Sequence, residues 1–146
     1  MKTYKGRFSP KNPKKYAGDP TGIIYRSLWE LRVMKYLDEK DNVIEWKSEE
    51  IAIPYRSPVD NRIHRYFPDF IVKVRMANGD TKTMMLEVKP KKQTIEPKAK
   101  SKKTKAYINE VMTWGVNQAK WKSAREYCLD KGWDFKLITE DELGIK

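Results

Sequence analysis

The dipeptide Asn78-Gly79 constrains this chain more than any other feature of it. It stands between two runs of strand-forming residues, Phe70-Ile71-Val72-Lys73-Val74-Arg75 and Thr81-Lys82-Thr83-Met84-Met85-Leu86-Glu87-Val88. Asn and Gly both tolerate positive φ, which a tight turn between antiparallel strands demands. The two runs therefore predict a β-hairpin, and the hairpin fixes what meets at its open end. Asp69, preceded by Pro68, enters one strand, and Glu87-Val88-Lys89 leaves the other. Side chains alternate along a strand, so Glu87 and Lys89 share one face while Leu86 and Val88 share the opposite one. Two carboxylates and an ammonium group are thus expected at one spot.

Pro68 sharpens the expectation. Proline cannot donate to a sheet ladder, so position 68 is an edge, a bulge or a strand start. Such a break can aim Asp69 out of the regular pleat. Asp69 lies among Phe67, Phe70, Ile71 and Val72, and a carboxylate in such apolar company requires a partner. As hard oxygen ligands, Asp69 and Glu87 suit Mg²⁺ or Mn²⁺, ions that keep several waters and accept phosphate oxygens. A metal here can lower the pKa of a water and neutralise charge on a phosphate. Lys89 can orient or deprotonate that water, or stabilise the developing charge. The plain alternative is a same-face Glu87–Lys89 ion pair worth about 0–1 kcal/mol. Pro-Asp on the partner strand, beside a polycationic loop, favours the site.

The charge points the same way. The net charge is +11, from 31 Lys and Arg against 20 Asp and Glu. Residues 1–15 hold six basic and no acidic residues, and residues 91–105 hold seven lysines against Glu96 alone. These two segments carry slightly more than the whole excess, and positive charge so concentrated points to a polyanion, nucleic acid first. Lys91, Lys98, Lys100, Lys102 and Lys103 are the candidate phosphate contacts. A single cysteine, Cys128, excludes an intramolecular disulfide and suits a reducing compartment. Cys128 and His64 are too few for a zinc cage, and no Gly-x-Ser-x-Gly motif is present. No apolar run approaches a membrane span, and no signal-peptide pattern is seen.

Residues 1–20, with Pro10, Pro13, Gly18 and Pro20, read as a basic arm that lies over the surface or awaits DNA. Tyr4, Phe8 and Tyr16 can pin it to the body or stack on bases, and pinning is the expected role. Residues 21–146 read as a single domain. Ile24 to Glu39 has helical periodicity. Within it Ser27 and Glu30 have capping-box spacing, which would return the Glu30 carboxylate to its own helix. Asp19-Pro20-Thr21 offers an earlier start that would free Glu30 for a site, and both readings stand. Strands are expected at 43–46, 51–55 and 62–75. A helix from about Lys105 to Gly115 and a second ending at Gly132 follow. That division puts Asn117, Gln118 and Lys120 in a first turn, where the helix dipole would help them contact phosphate, with a solvated helix start as the equal alternative. Residues 133–138 form a last strand and Thr139-Glu142 a short helix. The order, a helix, three strands, two helices and a strand, predicts an α/β domain: a mixed β-sheet flanked by helices.

Pro68-Asp69, seventeen residues, then Glu87-Val88-Lys89 resembles the motif of the PD-(D/E)xK nuclease superfamily. Glu30 is similar to that superfamily's additional acidic residue. The element order resembles its restriction-endonuclease-like core, αβββαβ. Tyr25 to Glu30, Leu86 to Lys91, Thr113 to Asn117 and Lys120-Trp121 resemble the TnsA-like branch, in particular the head-completion nucleases of myophages. The TnsA pattern carries Gln where this chain has Glu87, the commoner superfamily residue.

The resemblance implies that Asp69, Glu87 and the Val88 carbonyl hold Mg²⁺, with Mn²⁺ able to substitute. It implies that Lys89 positions the attacking water and that Glu30 serves a second metal or its water. A metal-dependent endonuclease on double-stranded DNA is implied, acting on packaged ends during virion assembly in the host cytoplasm or in the virion. Portal, head or terminase proteins are the partners this would bring. A Holliday-junction-resolvase-like nuclease and a non-catalytic DNA-binding head protein are the competing readings.

Overall fold

A computed structural model describes residues 4–144. Residues 1–3 of the predicted arm and residues 145–146 lie outside the described residues. In chain order the elements are β1 (Gly6–Arg7), β2 (Ile24–Tyr25), α1 (Leu28–Glu39), β3 (Val43–Ser48), β4 (Ile53–Arg56), β5 (Ile63–Tyr66), β6 (Phe70–Arg75), β7 (Thr81–Val88), α2 (Lys105–Lys131), β8 (Asp134–Ile138) and α3 (Glu140–Leu143).

The hairpin is the centre of the molecule. β6 and β7 pair antiparallel from Arg75↔Thr81 to Phe70↔Leu86. β3 joins the β6 edge antiparallel and β8 joins β7 in parallel, giving the sheet order β3-β6-β7-β8. Taken with α1 and α2, the core runs αβββαβ as expected, with the β4–β5 hairpin inserted between β3 and β6. The pleat then divides the core in two. Phe70, Val72, Leu86 and Val88 pack with Val33, Met34 and Leu37 of α1. Ile71 and Met85 pack with Trp121, Ala124 and Cys128 of α2.

The turn differs in detail from the two-residue type. Met76 N–H donates to the Asp80 carbonyl at 2.7 Å, so Ala77, Asn78 and Gly79 form the loop. Only Gly79 takes positive φ, at 90°, as in a three-residue hairpin with glycine in the left-handed position. Asn78 contributes through its side chain, which accepts the Asp80 N–H at 3.0 Å.

Three other expectations are corrected. The predicted strand 62–75 is two strands, because Pro68 has no N–H and breaks the ladder; β5 turns away to pair with β4 (Ile53↔Tyr66, Tyr55↔His64). The predicted helix from Ile24 begins only at Leu28, since Ile24 and Tyr25 are extended and pair with β1. The predicted pair of helices is one continuous helix, α2. Gly115 costs such a helix about 1 kcal/mol against alanine, less than the packing gained by carrying one face past it. Pro58 packs beside it, its Cγ 3.6 Å from where a Cβ would lie, an ordinary contact that a small side chain would also allow. Asn117 and Lys120 therefore sit in the middle of a helix, with no N-terminal dipole to help them.

The basic arm lies against the body. Phe8 and Tyr16 are buried beside Trp46, with ring centroids 6.0 and 4.7 Å from it, while Tyr4 is exposed. Ala17 N–H donates to the Trp46 carbonyl at 2.8 Å, which covers the outer edge of β3. Asp38, 2% exposed at the end of α1, accepts the backbone N–H groups of Lys11 and Asn12 at 2.8 and 3.0 Å.

Candidate active site

The regular pairing of β6 and β7 stops at Phe70↔Leu86. Beyond it Pro68, fully buried, has no N–H to offer, and the next strand groups are satisfied by side chains instead. The Asp69 carboxylate accepts the Val88 N–H at 2.8 Å. The Glu87 carboxylate accepts the Asp69 N–H at 3.4 Å. Each acid is thus held by the backbone beside the other, and both are aimed by the place where the ladder fails.

Burial and charge set their chemistry. Glu87 is 5% exposed and Asp69 is half-buried. Burial pushes the Asp69 pKa well up, and the charges of Glu87 and Glu30 push it further. Burial also raises Glu87, against the pull of Lys89. The Lys89 Nζ stands 4.0 Å from Glu87 Oε2 and is partly exposed, so it faces both the acid and solvent. On α2, half-buried Lys120 lies over the rings of Tyr55 and Tyr66 at 5.8 and 5.7 Å. Burial and the Lys89 charge lower its pKa, while Glu87 and Asp69 pull it back up. The Tyr66 hydroxyl is buried and faces the Glu87 charge, yet it has no hydrogen-bond partner among the described residues.

Glu30 follows the capping reading: α1 starts at Leu28 with Ser27 as its cap, and the earlier start at Asp19-Pro20-Thr21 is not taken. Ser27 caps α1, its Oγ accepting the Glu30 N–H at 3.1 Å. The Glu30 carboxylate returns to the backbone N–H of Arg26 at 3.3 Å, one residue earlier than a capping box requires. It nevertheless feels the charges of Glu49 and Glu87, which together with burial raise its pKa. No group of three His, Cys, Asp or Glu side chains among the described residues is arranged to hold a metal ion by itself. Glu30 therefore does not complete a ready ligand set with Asp69 and Glu87.

A hard divalent cation still fits. Two carboxylates withdrawn from water, with raised pKa values, form an under-compensated negative centre, and Mg²⁺ characteristically takes one or two carboxylates plus water and phosphate oxygens. Val88, the last residue of β7, follows Glu87 directly.

The predicted phosphate contacts divide. Lys98 and Lys102 are exposed. Lys103 Nζ donates to the Lys100 carbonyl at 2.9 Å, and both lysines stand over the Tyr107 ring. Lys91 instead pairs with Asp141 of α3 at 3.1 Å. Asn117 is buried, and Lys120 belongs to the acidic site rather than to an outer surface.

Three residues escaped the sequence reading. Glu49, at the end of β3, takes a φ of 53° and donates its N–H to the Asp69 carbonyl at 3.3 Å. Arg26 Nε holds the Glu49 carboxylate at 3.1 Å. Tyr66 is the third. None carries a local signal, because each reaches the site through strand pairing or packing.

Two similarities bear on this geometry. Residues 40–140 match the family described as TnsA-like endonuclease N terminal. The chain is also 38% identical over 144 residues to the head completion nuclease of Enterobacteria phage T4, spanning 96% of this chain and 93% of that protein. The matched region runs from β3 to α3 and so takes in both strands of the hairpin, the acidic pair at its open end and the whole of α2, and on this ground the chain belongs to the TnsA-like endonucleases.

Proposed function

We propose that the protein is a divalent-cation-dependent endonuclease that hydrolyses DNA phosphodiester bonds, and that it acts on packaged DNA ends as phage heads are completed. The observation that carries the reading is the mutual hold of Asp69 and Glu87, with Lys89 Nζ 4.0 Å from Glu87. Asp69, Glu87 and the Val88 carbonyl are the ligands for the ion, Mg²⁺ or Mn²⁺ by the hardness of the donors. When bound, the ion supplies neutralisation of the phosphate charge and acidification of water.

The chain's own groups do the rest. Lys89, partly exposed, orients the attacking water and balances charge that develops on the phosphate. Lys120, held over Tyr55 and Tyr66, presents a second cation to the same phosphate. Glu30 serves a second ion or its hydrating water. Lys98, Lys100, Lys102 and Lys103 contact phosphates farther along the duplex. The role in head completion rests on the similarity to the T4 protein of that name.

The test is incubation with supercoiled plasmid in Mg²⁺, in Mn²⁺ and in EDTA. Nicked or linear product is expected with either ion and none in EDTA. Binding without cutting in all three would favour a non-catalytic DNA-binding head protein.

A further inference from the structure

A cavity opens between α2 and the segment that follows Lys89. It has a volume of about 280 Å³, and its walls include Lys92, Gln93, Ile95, Glu110, Trp114 and Asn117. We propose that this cleft receives one unpaired nucleobase of the DNA strand, next to the phosphate being cut, so that the enzyme selects ends or junctions where a base is free. The proposal rests on the nuclease reading above and adds the form of DNA that the site takes.

The amide in the cleft carries it. Asn117 is only 5% exposed overall, lines the cleft and makes no side-chain hydrogen bond within the described residues, yet its amide is not among the atoms sealed from solvent, so it is open to whatever the cleft holds. An amide offers an acceptor and two donors side by side, the pattern that meets the N6/N7 edge of adenine with two hydrogen bonds. Trp114, one turn away on the same helix, brings an indole to the same cavity, where a base can stack.

The remaining walls distinguish a base from a phosphate. Ile95 is apolar, and Glu110 is an acid that would repel a phosphate but accept an exocyclic amino group. Lys92 and Gln93 stand on the opposite wall, within four residues of Lys89. The volume lies just below the range of about 300–1,000 Å³ common for drug-sized ligands, which suits one nucleoside.

Position supplies the last link. Asn117 and Lys120 are three residues apart on α2 and so share a face, with a rise of about 4.5 Å between them. Lys120 feels the charges of Asp69, Glu87 and Lys89. The cleft therefore opens one helical turn along α2 from Lys120, the side chain that faces the acidic pair. A paired base cannot enter it without leaving the stack, whereas a frayed or unpaired base can.

The experiment measures binding of the full chain in EDTA to three duplexes of equal length and charge. One is fully paired, one carries a single unpaired adenine, and one carries an abasic residue at that place. Tighter binding to the unpaired adenine than to the abasic duplex, on the order of tenfold, is expected from one stacked base. Trp114→Ala and Asn117→Ala should each shrink that ratio. The wild-type comparison needs no variant, so a folding defect in either cannot obscure it. Equal affinity for the adenine and abasic duplexes, with plasmid cutting intact, would overturn the cleft proposal alone. Failure to bind any of the three and to cut plasmid would overturn the nuclease reading with it.

Discussion

The Asp69 carboxylate accepts the Val88 N–H at 2.8 Å while the Glu87 carboxylate accepts the Asp69 N–H at 3.4 Å, so the two acids lock each other across β6 and β7. This lock holds negative charge where burial disfavours it, and both pKa values rise. Unfolded Asp and Glu titrate near pH 4. Above that pH the native state keeps protons that the unfolded state has lost, so stability falls as pH rises through the raised values. Asp69→Asn keeps the acceptor for Val88 and removes the charge. In EDTA it should be more stable than wild type at neutral pH, with the difference closing below about pH 4. Urea unfolding across pH checks this, and a variant less stable than wild type at neutral pH would contradict it.

The same buried charge should make folding respond to cations. A ligand that binds only the native state stabilises it by about 2.7 kcal/mol at a hundredfold excess over its dissociation constant. Mg²⁺ or Mn²⁺ should therefore raise the urea midpoint of wild type but leave Asp69→Asn nearly unmoved. An equal rise in both would place the ion elsewhere.

Asp38 tests how the basic arm is held. Its carboxylate accepts two backbone N–H groups from Lys11 and Asn12, and hydrogen bonds to a charged group are worth about 1.5–3 kcal/mol each. Water can reach the exposed Lys11 and Asn12 once the acid is gone, so no further penalty for orphaned donors is added and Asp38→Ala should cost about 3–6 kcal/mol in all. Chemical unfolding measures it. Increased proteolysis before Tyr16 should accompany the loss.

The lysine-rich loop makes a separable prediction. If Lys98, Lys100, Lys102 and Lys103 neutralise phosphates, changing all four to Gln should flatten the log–log salt dependence of DNA binding by about 0.9 for each phosphate left without its lysine. Fluorescence anisotropy at several salt concentrations reads the slope. An unchanged slope would make the loop a bystander.

Local features are legible in the sequence. The hairpin, the break at Pro68 and the shared face of Glu87 and Lys89 all follow from strand alternation and proline chemistry within one short stretch of chain. The cap at Ser27, the left-handed Gly132 and the Thr139–Glu142 box are legible for the same reason. What cannot be read is what distant pairing decides. Residues 63–66 look like a continuation of β6 until β4 claims them. Gly115 looks like a helix end until packing on either side carries α2 through it. Glu49, Arg26, Tyr66 and the place of Lys120 at the acids depend on segments far apart in sequence coming together. Glu30 shows the limit well: the capping spacing is read correctly, but that a capped Glu30 still feels the Glu87 charge depends on how α1 packs beside β7.

The most direct measurement compares DNA cleavage by wild type, Glu87→Ala and Lys89→Ala, purified alongside one another and assayed in Mn²⁺. Each removes a group from the centre built on Asp69 and Glu87, and loss of one such charge-stabilising group costs about 10²–10³ in rate. Both variants should fall by at least that much while still binding DNA. Equal cleavage by all three would show that the chemistry, if any belongs to this chain, is done elsewhere.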